Sequence, residues 1–418
     1  MTDAVKPPDP DRRRFFRQFA GDMASSVGSV LGAAQLLQRE SADAARELLG
    51  GESLLPPEGS ETLVEQDAAS AVWRAPFRWD GDVCRIVDQR RLPDVLVDFE
   101  IRGAGEAVSA INEGSLVGAP VQAQVCAVTL AIVAARTIES RPFARRATIR
   151  GGANAMRLAR PGSAPLAAVL DRMLAILEEL GVEATGEDLA AAMTAEATRI
   201  IGEAVDAHGA LVGHLLGGVL PGPEVGPLRV LVAGSTGAMG GGQFGTALSA
   251  VQTAHHAGRD VHALVPEGRP GLEGARIASW ELRQAGVPHE VVTDAAAPGC
   301  IATGDVQAVL VGADRIAANG DVVSPAGAYP LALAAQAAGV PFIVCATTTA
   351  IDSALADGAA ATLEEGRPGP VVRVGPTRIV PEGTAVGNRL QDLVPAGLVT
   401  AIVTEQGVLR LPSVAPVA

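Results

Sequence analysis

The stretch PLRVLVAGSTGAMGGGQFG, residues 227–245, decides the fold class of this chain. Its first half is a short run of valine and leucine, and its second half is rich in glycine. A continuous apolar run that leads into a glycine-rich turn is typical of a strand in a parallel sheet that is buried on both faces. The pattern therefore predicts an α/β domain that begins near residue 227.

Similar short apolar runs recur along the rest of the chain. DVHALVP, HEVVTD, AVLVGAD and PFIVCAT are bounded by Gly, Asp or Thr and are separated by helical stretches. We expect a Rossmann-like domain over residues 227–412, followed by a tail at 413–418. Ligands bind at the carboxyl ends of the strands in such sheets, so the loops that follow these runs are the candidate site.

The chain before residue 227 has a different composition. Residues 97–220 are rich in Ala, Leu, Glu and Arg at helical spacing. Residues 76–87 alternate around an Asp-Gly pair and predict a short hairpin. We therefore expect a hairpin and helical domain over residues 71–226. The predicted fold class is α/β, with a helical N-terminal domain and a Rossmann-like parallel-sheet C-terminal domain.

The N-terminal segment has the pattern of an amphipathic helix. In residues 1–40 the apolar positions recur at three- and four-residue steps. Such a helix contacts a partner chain, a membrane surface or its own domain. The start resembles a twin-arginine signal, but Asp22 and Gln35 interrupt the following segment, which an export signal would not tolerate. Residues 41–70 are acidic, contain two adjacent prolines and predict a linker.

The composition limits the kinds of partner. The 418 residues include 33 basic and 47 acidic side chains, and the net charge of −14 opposes binding of nucleic acid. The sole lysine is Lys6, so any anion in the folded body must be held by arginine or by backbone N–H groups. The four cysteines are far apart and indicate thiols in a reducing compartment, the cytoplasm. No metal-ligand spacing is present, and we expect neither metal nor cofactor.

The glycine-rich loop, residues 234–246, has two interpretations of equal weight. In the first, Gly234, Ser235, Gly237 and Gly245 belong to a backbone cradle for phosphate at a helix start. In the second, the glycines only allow a tight turn between strand and helix. The pattern is neither G-x-G-x-x-G nor a Walker loop, so both interpretations stay open.

Three further residues in these loops are candidates for ligand binding or catalysis. Arg269, in EGRPGLEG, is a candidate anion ligand. Asp294 ends another apolar run and either accepts a ligand hydroxyl or caps the next helix. Asp314, in GADRIAANGD, is a candidate acid/base because it follows a buried strand. Its alternative role is to accept backbone N–H groups of the turn at 315–320.

Four stretches together resemble a known family. They are PFRWDGDVCRIVDQRRLPD, EGRPGLEGARIASWEL, GADRIAANGDVV and AIVTEQG. They resemble methylthioribose-1-phosphate isomerase, an aldose–ketose isomerase of methionine salvage. The chain is more distantly similar to ribose-1,5-bisphosphate isomerase and to the regulatory subunits of eukaryotic translation initiation factor 2B. Over residues 75–412, this resemblance implies a helical domain, a Rossmann-like domain, a small phosphorylated ligand and a homodimer.

The resemblance also implies roles for individual residues. Asp314 matches the family's catalytic Asp, and Arg160 belongs to an Arg-Pro pair at the mouth of the sugar-phosphate site. Asn388 and Asp392 match the Asn and the Asp of an Asn-Pro-Ala-Phe-Asp motif, although the residues between them differ.

Three other positions depart from the family. Val117 stands where the family has a substrate-binding Arg, Gly234 replaces the catalytic Cys, and Ser324-Pro325 replaces an Asn-Lys pair. A missing general acid/base costs roughly two to four orders of magnitude in rate. These departures leave two hypotheses. One is a divergent isomerase that acts on or binds a pentose phosphate through Asp314, and the other is a non-catalytic subunit or sensor that binds a nucleotide or sugar phosphate.

Overall fold

The computed structural model describes Gln66–Asp67 and residues 75–411. The predicted N-terminal helix at 1–40, nearly all of the linker at 41–70 and the tail at 413–418 lie outside the described residues. The helices are α1 Ala104–Glu113, α2 Ala119–Arg136, α3 Pro142–Ala159, α4 Ala164–Leu180, α5 Gly186–Leu216, α6 Ala238–Gly241, α7 Ala247–His256, α8 Ser279–Gln284, α9 Ala297–Ala302, α10 Ala328–Ala338 and α11 Gly369–Val372.

The strands fall into one large sheet and several small ones. They are β1 Gln66–Asp67, β2 Phe77–Trp79, β3 Cys84–Val87, β4 Val95–Leu96, β5 Asp98–Ile101, β6 Leu228–Ala233, β7 Val261–Pro266, β8 His289–Val292, β9 Ala308–Val311, β10 Arg315–Ala317, β11 Val322–Pro325, β12 Phe342–Cys345, β13 Ile351–Asp352, β14 Arg373–Val374, β15 Thr377–Arg378, β16 Gln391–Val394, β17 Ala401–Thr404 and β18 Gly407–Arg410.

The N-terminal part is a hairpin followed by a helical bundle. Strands β2 and β3 pair antiparallel, as the alternation around the Asp-Gly pair predicts. Strand β5 adds to this sheet, so the region predicted as helical from residue 97 begins with a strand. Among the described residues, α2 is the one helix long and apolar enough to suit a membrane span, but 83% of it is buried inside the protein. Helix α2 is thus the core helix of the bundle.

The C-terminal part is built on a seven-stranded sheet with the order β18-β17-β12-β9-β6-β7-β8. All pairs except β17 with β18 are parallel, and β9 is the central strand. Apolar residues form a core on each face of the sheet, which explains why the strands read as continuous apolar runs. The parallel α/β architecture predicted from the sequence is present.

A smaller sheet and a long loop complete the region around the strand ends. The small sheet has the order β13-β10-β11-β16. Between β13 and β16 the chain forms a largely exposed segment, residues 361–390, which we call the strap. Because β10 follows β9 after a short loop, the small sheet places residue 314 between the two sheets.

Candidate active site

A cavity of about 690 Å³ lies at the carboxyl ends of β6, β7, β9 and β12, between the sheet, the helical bundle and the strap. Six of the predicted site residues line it: Arg160, Gly234, Ser235, Arg269, Asp314 and Asn388. The remaining three, Gly237, Gly245 and Asp392, are not among its lining residues. The positions at which the resemblance implies departures from the family line the cavity as well: Val117, Gly234, Ser324 and Pro325.

Asp314 is held firmly by both its backbone and its side chain. Its N–H donates to the carbonyl of Val323 at 2.9 Å, and its carbonyl accepts from the N–H of Ala164 at 2.9 Å. Its carboxylate oxygen Oδ2 accepts from Nη2 of Arg160 at 3.0 Å and from Nε2 of Gln391 at 2.7 Å. The partners of the carboxylate are thus side chains from other elements and not the N–H groups of the following turn.

Arg160 lies between two carboxylates. Besides Asp314, its guanidinium faces Glu364, with Nε 2.7 Å from Oε2. Nη1 donates to Oε1 of Gln122 at 3.3 Å. Burial disfavours the charged form of Arg160, but the attraction of the two carboxylates outweighs it and raises the pKa of the guanidinium. The positive charge of Arg160 is therefore compensated within the protein.

Glu364 and Gln391 join the strap to this network. Oε1 of Glu364 accepts from the N–H of Gly162 at 2.9 Å. The N–H of Glu364 donates to Oε1 of Gln391 at 3.0 Å. Sequence reasoning missed both residues. Gln391 lies between Asn388 and Asp392, so the family motif indicates the segment that contains it. No local sequence pattern indicates Glu364.

The glycine-rich loop is occupied by a carboxyl group of the protein itself. Helix α6 has only four residues, and the N–H of Met239 donates to Oε1 of Glu281 at 2.6 Å. The N–H of Ala238 bonds to the same carboxyl group. Glu281 leaves no room for a Cβ atom on Gly237. A Cβ on Gly245 would likewise collide with the backbone of Gly237. Close packing therefore accounts for these two glycines.

Glu281 is a neutral acid at neutral pH. Its side chain is 1% exposed, and burial raises its pKa to about 8 although two backbone N–H groups favour the charged form. Among the described residues, Oε2 of Glu281 has no hydrogen-bond partner. The group therefore fills the amide-rich turn in which the first of the two interpretations placed a phosphate, and it does so without a negative charge.

Two buried glutamines attach the glycine-rich loop to the helical part. Nε2 of Gln89 donates to the carbonyl of Met239 at 2.9 Å, and its Oε1 accepts from the N–H of Val117 at 3.2 Å. Nε2 of Gln124 donates to the carbonyl of Gly241 at 2.7 Å. Both glutamines are nearly inaccessible to solvent. The loop is thus fixed by hydrogen bonds within the protein itself.

Asp294 holds the loop that carries Arg269. Its two oxygens accept from the backbone N–H groups of Gly268 at 2.9 Å and Arg269 at 2.7 Å. Asp294 therefore fixes the preceding loop and does not cap the next helix. The side chain of Arg269 donates through Nη2 to the carbonyl of Pro370 in the strap at 2.6 Å.

The two residues of the C-terminal motif have separate structural partners. Nδ2 of Asn388 donates to the carbonyl of Arg367 in the strap at 2.7 Å. Oδ2 of Asp392 accepts from the N–H groups of Gly327 at 2.8 Å and Tyr329 at 3.0 Å, at the start of α10. Asp392 therefore caps a helix. Asn388 lines the cavity and joins the end of the strap to Arg367 near its beginning.

The cavity lining has no excess of positive charge. Within the described residues it contains four arginines and five carboxylic acids: Arg90, Arg160, Arg269 and Arg367, with Glu113, Glu273, Asp294, Asp314 and Glu364. Burial, together with the charge of Asp294, raises the pKa of Glu273. Binding of a dianionic ligand in this cavity therefore depends on which arginines have a positive charge that no nearby carboxyl group compensates.

Among the described residues, Cys345 is the cysteine that lines the cavity. It is 1% exposed, and burial raises the pKa of its thiol far above neutrality. Such a buried thiol is inert as a nucleophile or base. Within residues 75–411, no group of His, Cys, Asp and Glu is placed to hold a metal ion.

Comparisons with known proteins agree on one family. The model of the Initiation factor 2 subunit family matches residues 116–411. A methylthioribose-1-phosphate isomerase of Chloroflexus aurantiacus is 35% identical over 81% of this chain and 95% of that protein.

Solved structures give the same result. The 5-methylthioribose 1-phosphate isomerase of Pyrococcus horikoshii matches with a TM-score of 0.72 and 27% identity, over 82% of this chain and 95% of that one. Subunit delta of translation initiation factor eIF-2B from A. fulgidus matches with a TM-score of 0.67 and 26% identity, over 81% of this chain and 96% of that one.

Proposed function

The chain belongs to the Initiation factor 2 subunit family and is similar to its isomerases over most of its length, and from this premise we propose that it is a sugar-phosphate isomerase with an altered site. The substrate is a phosphorylated pentose, and the reaction is the exchange of aldose and ketose. The observation that carries the proposal is that Asp314, Ser235 and Asn388 converge on one cavity of suitable size.

Asp314 is the proposed acid/base. Isomerisation of an open-chain sugar moves a proton between C1 and C2, and a carboxylate near both carbons can remove it and return it. Both side-chain hydrogen bonds to Asp314 fall on Oδ2, so we assign Oδ1 to the substrate. The guanidinium of Arg160 and the amide of Gln391 hold the carboxyl group of Asp314 in place through Oδ2.

A second candidate function is binding without turnover. It is favoured by the position of Gly234, which offers no side chain where the family has its catalytic Cys, and by the inert thiol of Cys345. Ring opening then lacks a second acid/base. A protein of this kind serves as a sensor or assembly subunit that binds a sugar phosphate or a nucleotide.

Two measurements on the purified full chain separate these functions. Isothermal titration calorimetry with 5-methylthioribose 1-phosphate, ribose 1-phosphate, ribose 5-phosphate and AMP tests binding. Proton NMR of each sugar phosphate in D2O tests turnover, because isomerisation exchanges the C2 proton or yields the ketose. Binding together with turnover supports the isomerase, and binding of AMP without any turnover supports the sensor. If no sugar phosphate or nucleotide binds, both functions are wrong.

We also propose that the protein forms a homodimer through its C-terminal domain. The structure offers one apolar feature in support, since Tyr329 and Leu333 lie one turn apart on α10 and are 41% and 42% exposed. Sedimentation equilibrium at micromolar concentration measures the mass directly. A monomeric mass would contradict the dimer.

A further inference from the structure

Of the five carboxylic acids among the described residues of the cavity lining, one differs from the rest in its hydrogen bonds. The four whose carboxyl oxygens accept from other residues are Glu113, Asp294, Asp314 and Glu364. The fifth is Glu273. Within residues 75–411 its carboxyl group has no ion pair, and the hydrogen-bond donor beside it is its own backbone N–H. Glu273 is therefore the acid of the lining that other residues leave available.

The carboxyl group of Glu273 lies at the cavity wall. The residue follows the loop after β7 and directly precedes the helical turn Gly274–Ala278. A Cβ atom on Gly271 would lie 1.7 Å from its Oε1, and a Cβ atom on Gly268 would lie 3.6 Å from its Oε2. Both glycines line the cavity as well. The half-buried carboxyl group thus packs on a turn that forms part of the wall.

Glu273 and Asp314 lie on opposite sides of the end of β6. The central part of the large sheet has the order β9-β6-β7, and Asp314 follows β9 whereas Glu273 follows β7. Gly234, which follows β6, has no side chain to fill the space between them. Neighbouring strands are about 4.8 Å apart, so β9 and β7 are about 10 Å apart. Two carboxyl groups on opposite sides of a sugar are a common arrangement for acid/base chemistry.

The surroundings of Glu273 favour a carboxyl group that keeps its proton. Burial is the main cause and raises the pKa of Glu273, and the charge of Asp294 acts in the same direction. The charges of Arg276 and Arg160 oppose the rise without cancelling it. A general acid must hold a proton at the working pH, and a carboxyl group with a raised pKa meets this requirement.

We propose that Glu273 is the second acid/base of this site, which gives a proton to the ring oxygen of a closed-ring pentose phosphate while Asp314 removes the proton on C2. The proposal rests on the proposed function and deepens it, since it assigns the group that opens the sugar ring. The buried thiol of Cys345 stays out of this chemistry.

The proposed steps conserve protons and electrons. The bond between C1 and the ring oxygen breaks, its electron pair goes to that oxygen, and the oxygen takes the proton of Glu273 and becomes a hydroxyl group. Asp314 takes the proton on C2, and the electron pair of that C–H bond forms the C1=C2 bond of an enol. The hydroxyl group on C2 then returns a proton to Glu273 as C2=O forms, and C1 takes the proton from Asp314. Both carboxyl groups end in the form in which they began, and the product is the ketose.

The test compares substitutions at two glutamates of one loop. Glu273→Gln removes the acidic proton and keeps nearly the same shape, whereas Glu273→Asp keeps an acid on a side chain one carbon shorter. Glu267→Gln is the matched control, because Glu267 is half-buried in the same loop and is not among the residues that line the cavity. The full chain of each variant is studied with 5-methylthioribose 1-phosphate, ribose 1-phosphate and ribose 5-phosphate. Proton NMR in D2O measures turnover, calorimetry measures Kd, and a melting curve verifies that each variant is folded.

We expect the kcat of Glu273→Gln to be lower by about two to four orders of magnitude, with a Kd that changes by less than about twofold. Glu273→Asp should retain more turnover than Glu273→Gln, and Glu267→Gln should match the wild type. The kcat of the wild type should fall as the pH rises and Glu273 loses its proton. This fall should be absent from the residual activity of Glu273→Gln, because the amide does not titrate.

Two results would overturn the role of Glu273 alone. One is an unchanged kcat in Glu273→Gln, and the other is a higher KM with an unchanged kcat, which would make Glu273 a binding residue. In both cases the wild type still isomerises a sugar phosphate, so the proposed function stands. A wild type that binds these sugar phosphates without turnover, or that binds none of them, would contradict both the proposed function and the role of Glu273.

Discussion

Two regions beside the cavity place a buried carboxyl group in opposite electrostatic settings, and we call them its two corners. In the glycine corner, residues 234–246, Glu281 bonds to backbone N–H groups with no cation beside it, and burial raises its pKa to about 8. In the acid corner, formed by Arg160, Asp314, Glu364 and Gln391, the carboxylates surround a guanidinium. The two corners therefore differ in one nearby arginine, which lies within ion-pair distance of the carboxyl groups of the acid corner and has no counterpart beside Glu281.

The largest expected effect follows from a substitution in the acid corner. Asp314→Asn should lower turnover of the bound sugar phosphate by about two to four orders of magnitude, because the amide cannot accept the proton. The melting temperature should fall only a few degrees, since Glu364 still compensates the charge of Arg160. Proton NMR in D2O and a melting curve measure the two effects. A large loss of stability with unchanged turnover would show that Asp314 is structural.

The next prediction concerns the glycine corner. The pKa of Glu281 is raised in the folded protein, so its contribution to stability is fully present below the unfolded pKa, near 4.5, and is lost as pH rises towards about 8. Glu281→Gln removes this loss because the amide never ionises. At pH 8 the variant should be more stable than the wild type by up to about 4 kcal/mol.

Denaturant unfolding at pH 5 and pH 8 measures this effect. The advantage of Glu281→Gln should be much smaller at pH 5, where the carboxyl group is protonated in the folded state and the unfolded state is only partly ionised. Glu203 gives a control: it is an exposed acid that pairs with Arg172 and Arg199, both at 2.8 Å, and its pKa is lowered. Glu203→Gln should therefore not become more stabilising as the pH rises from 5 to 8. An equal difference at both pH values for Glu281→Gln would contradict a raised pKa.

The sequence predicts the architecture well because the deciding signals are local. Apolar runs mark β6, β7, β9 and β12, and the position of Asp314 after the central strand follows from their order. The candidate site is harder to predict because the residues in contact are distant in sequence. Arg160 lies 154 residues from Asp314, and Gly162 lies 202 residues from Glu364, so no spacing rule connects them.

The glycine-rich loop shows a different limit to what the sequence alone predicts. Its glycines fit both a phosphate cradle and a tightly packed turn, and the two interpretations differ only in what faces the N–H groups. The partner is Glu281, 42 residues from Met239, within a stretch that sequence reasoning used for family resemblance and not for chemistry. A buried acid without a cation is identifiable only once the fold is known.

A smaller effect, on stability and on hydrogen exchange, should follow when the strap loses the contacts of the Glu364 carboxyl group. Glu364→Gln leaves Arg160 with one carboxylate and weakens the bond to the N–H of Gly162. We expect a loss of about 1–2 kcal/mol in unfolding free energy and faster hydrogen exchange in residues 361–390. Hydrogen exchange with mass spectrometry locates the change, and Glu365→Gln, at the exposed neighbouring position, is the control. Unchanged exchange in the strap would show that other contacts hold it.

The smallest expected effect concerns Cys345, the thiol that lines the cavity at the end of β12. If this thiol served as an acid/base, Cys345→Ala would lower turnover as much as the loss of an acid/base does. Burial raises the pKa of this thiol and leaves it protonated, so we expect kcat to change by less than about twofold, while stability falls by about 1 kcal/mol from the lost packing. Cys126→Ala is the matched control, because Cys126 is equally buried but lies in α2, away from the cavity lining. Equal behaviour of the two variants would leave Asp314 as the acid/base that the site depends on, and a selective loss of kcat in Cys345→Ala would move the chemistry to the thiol.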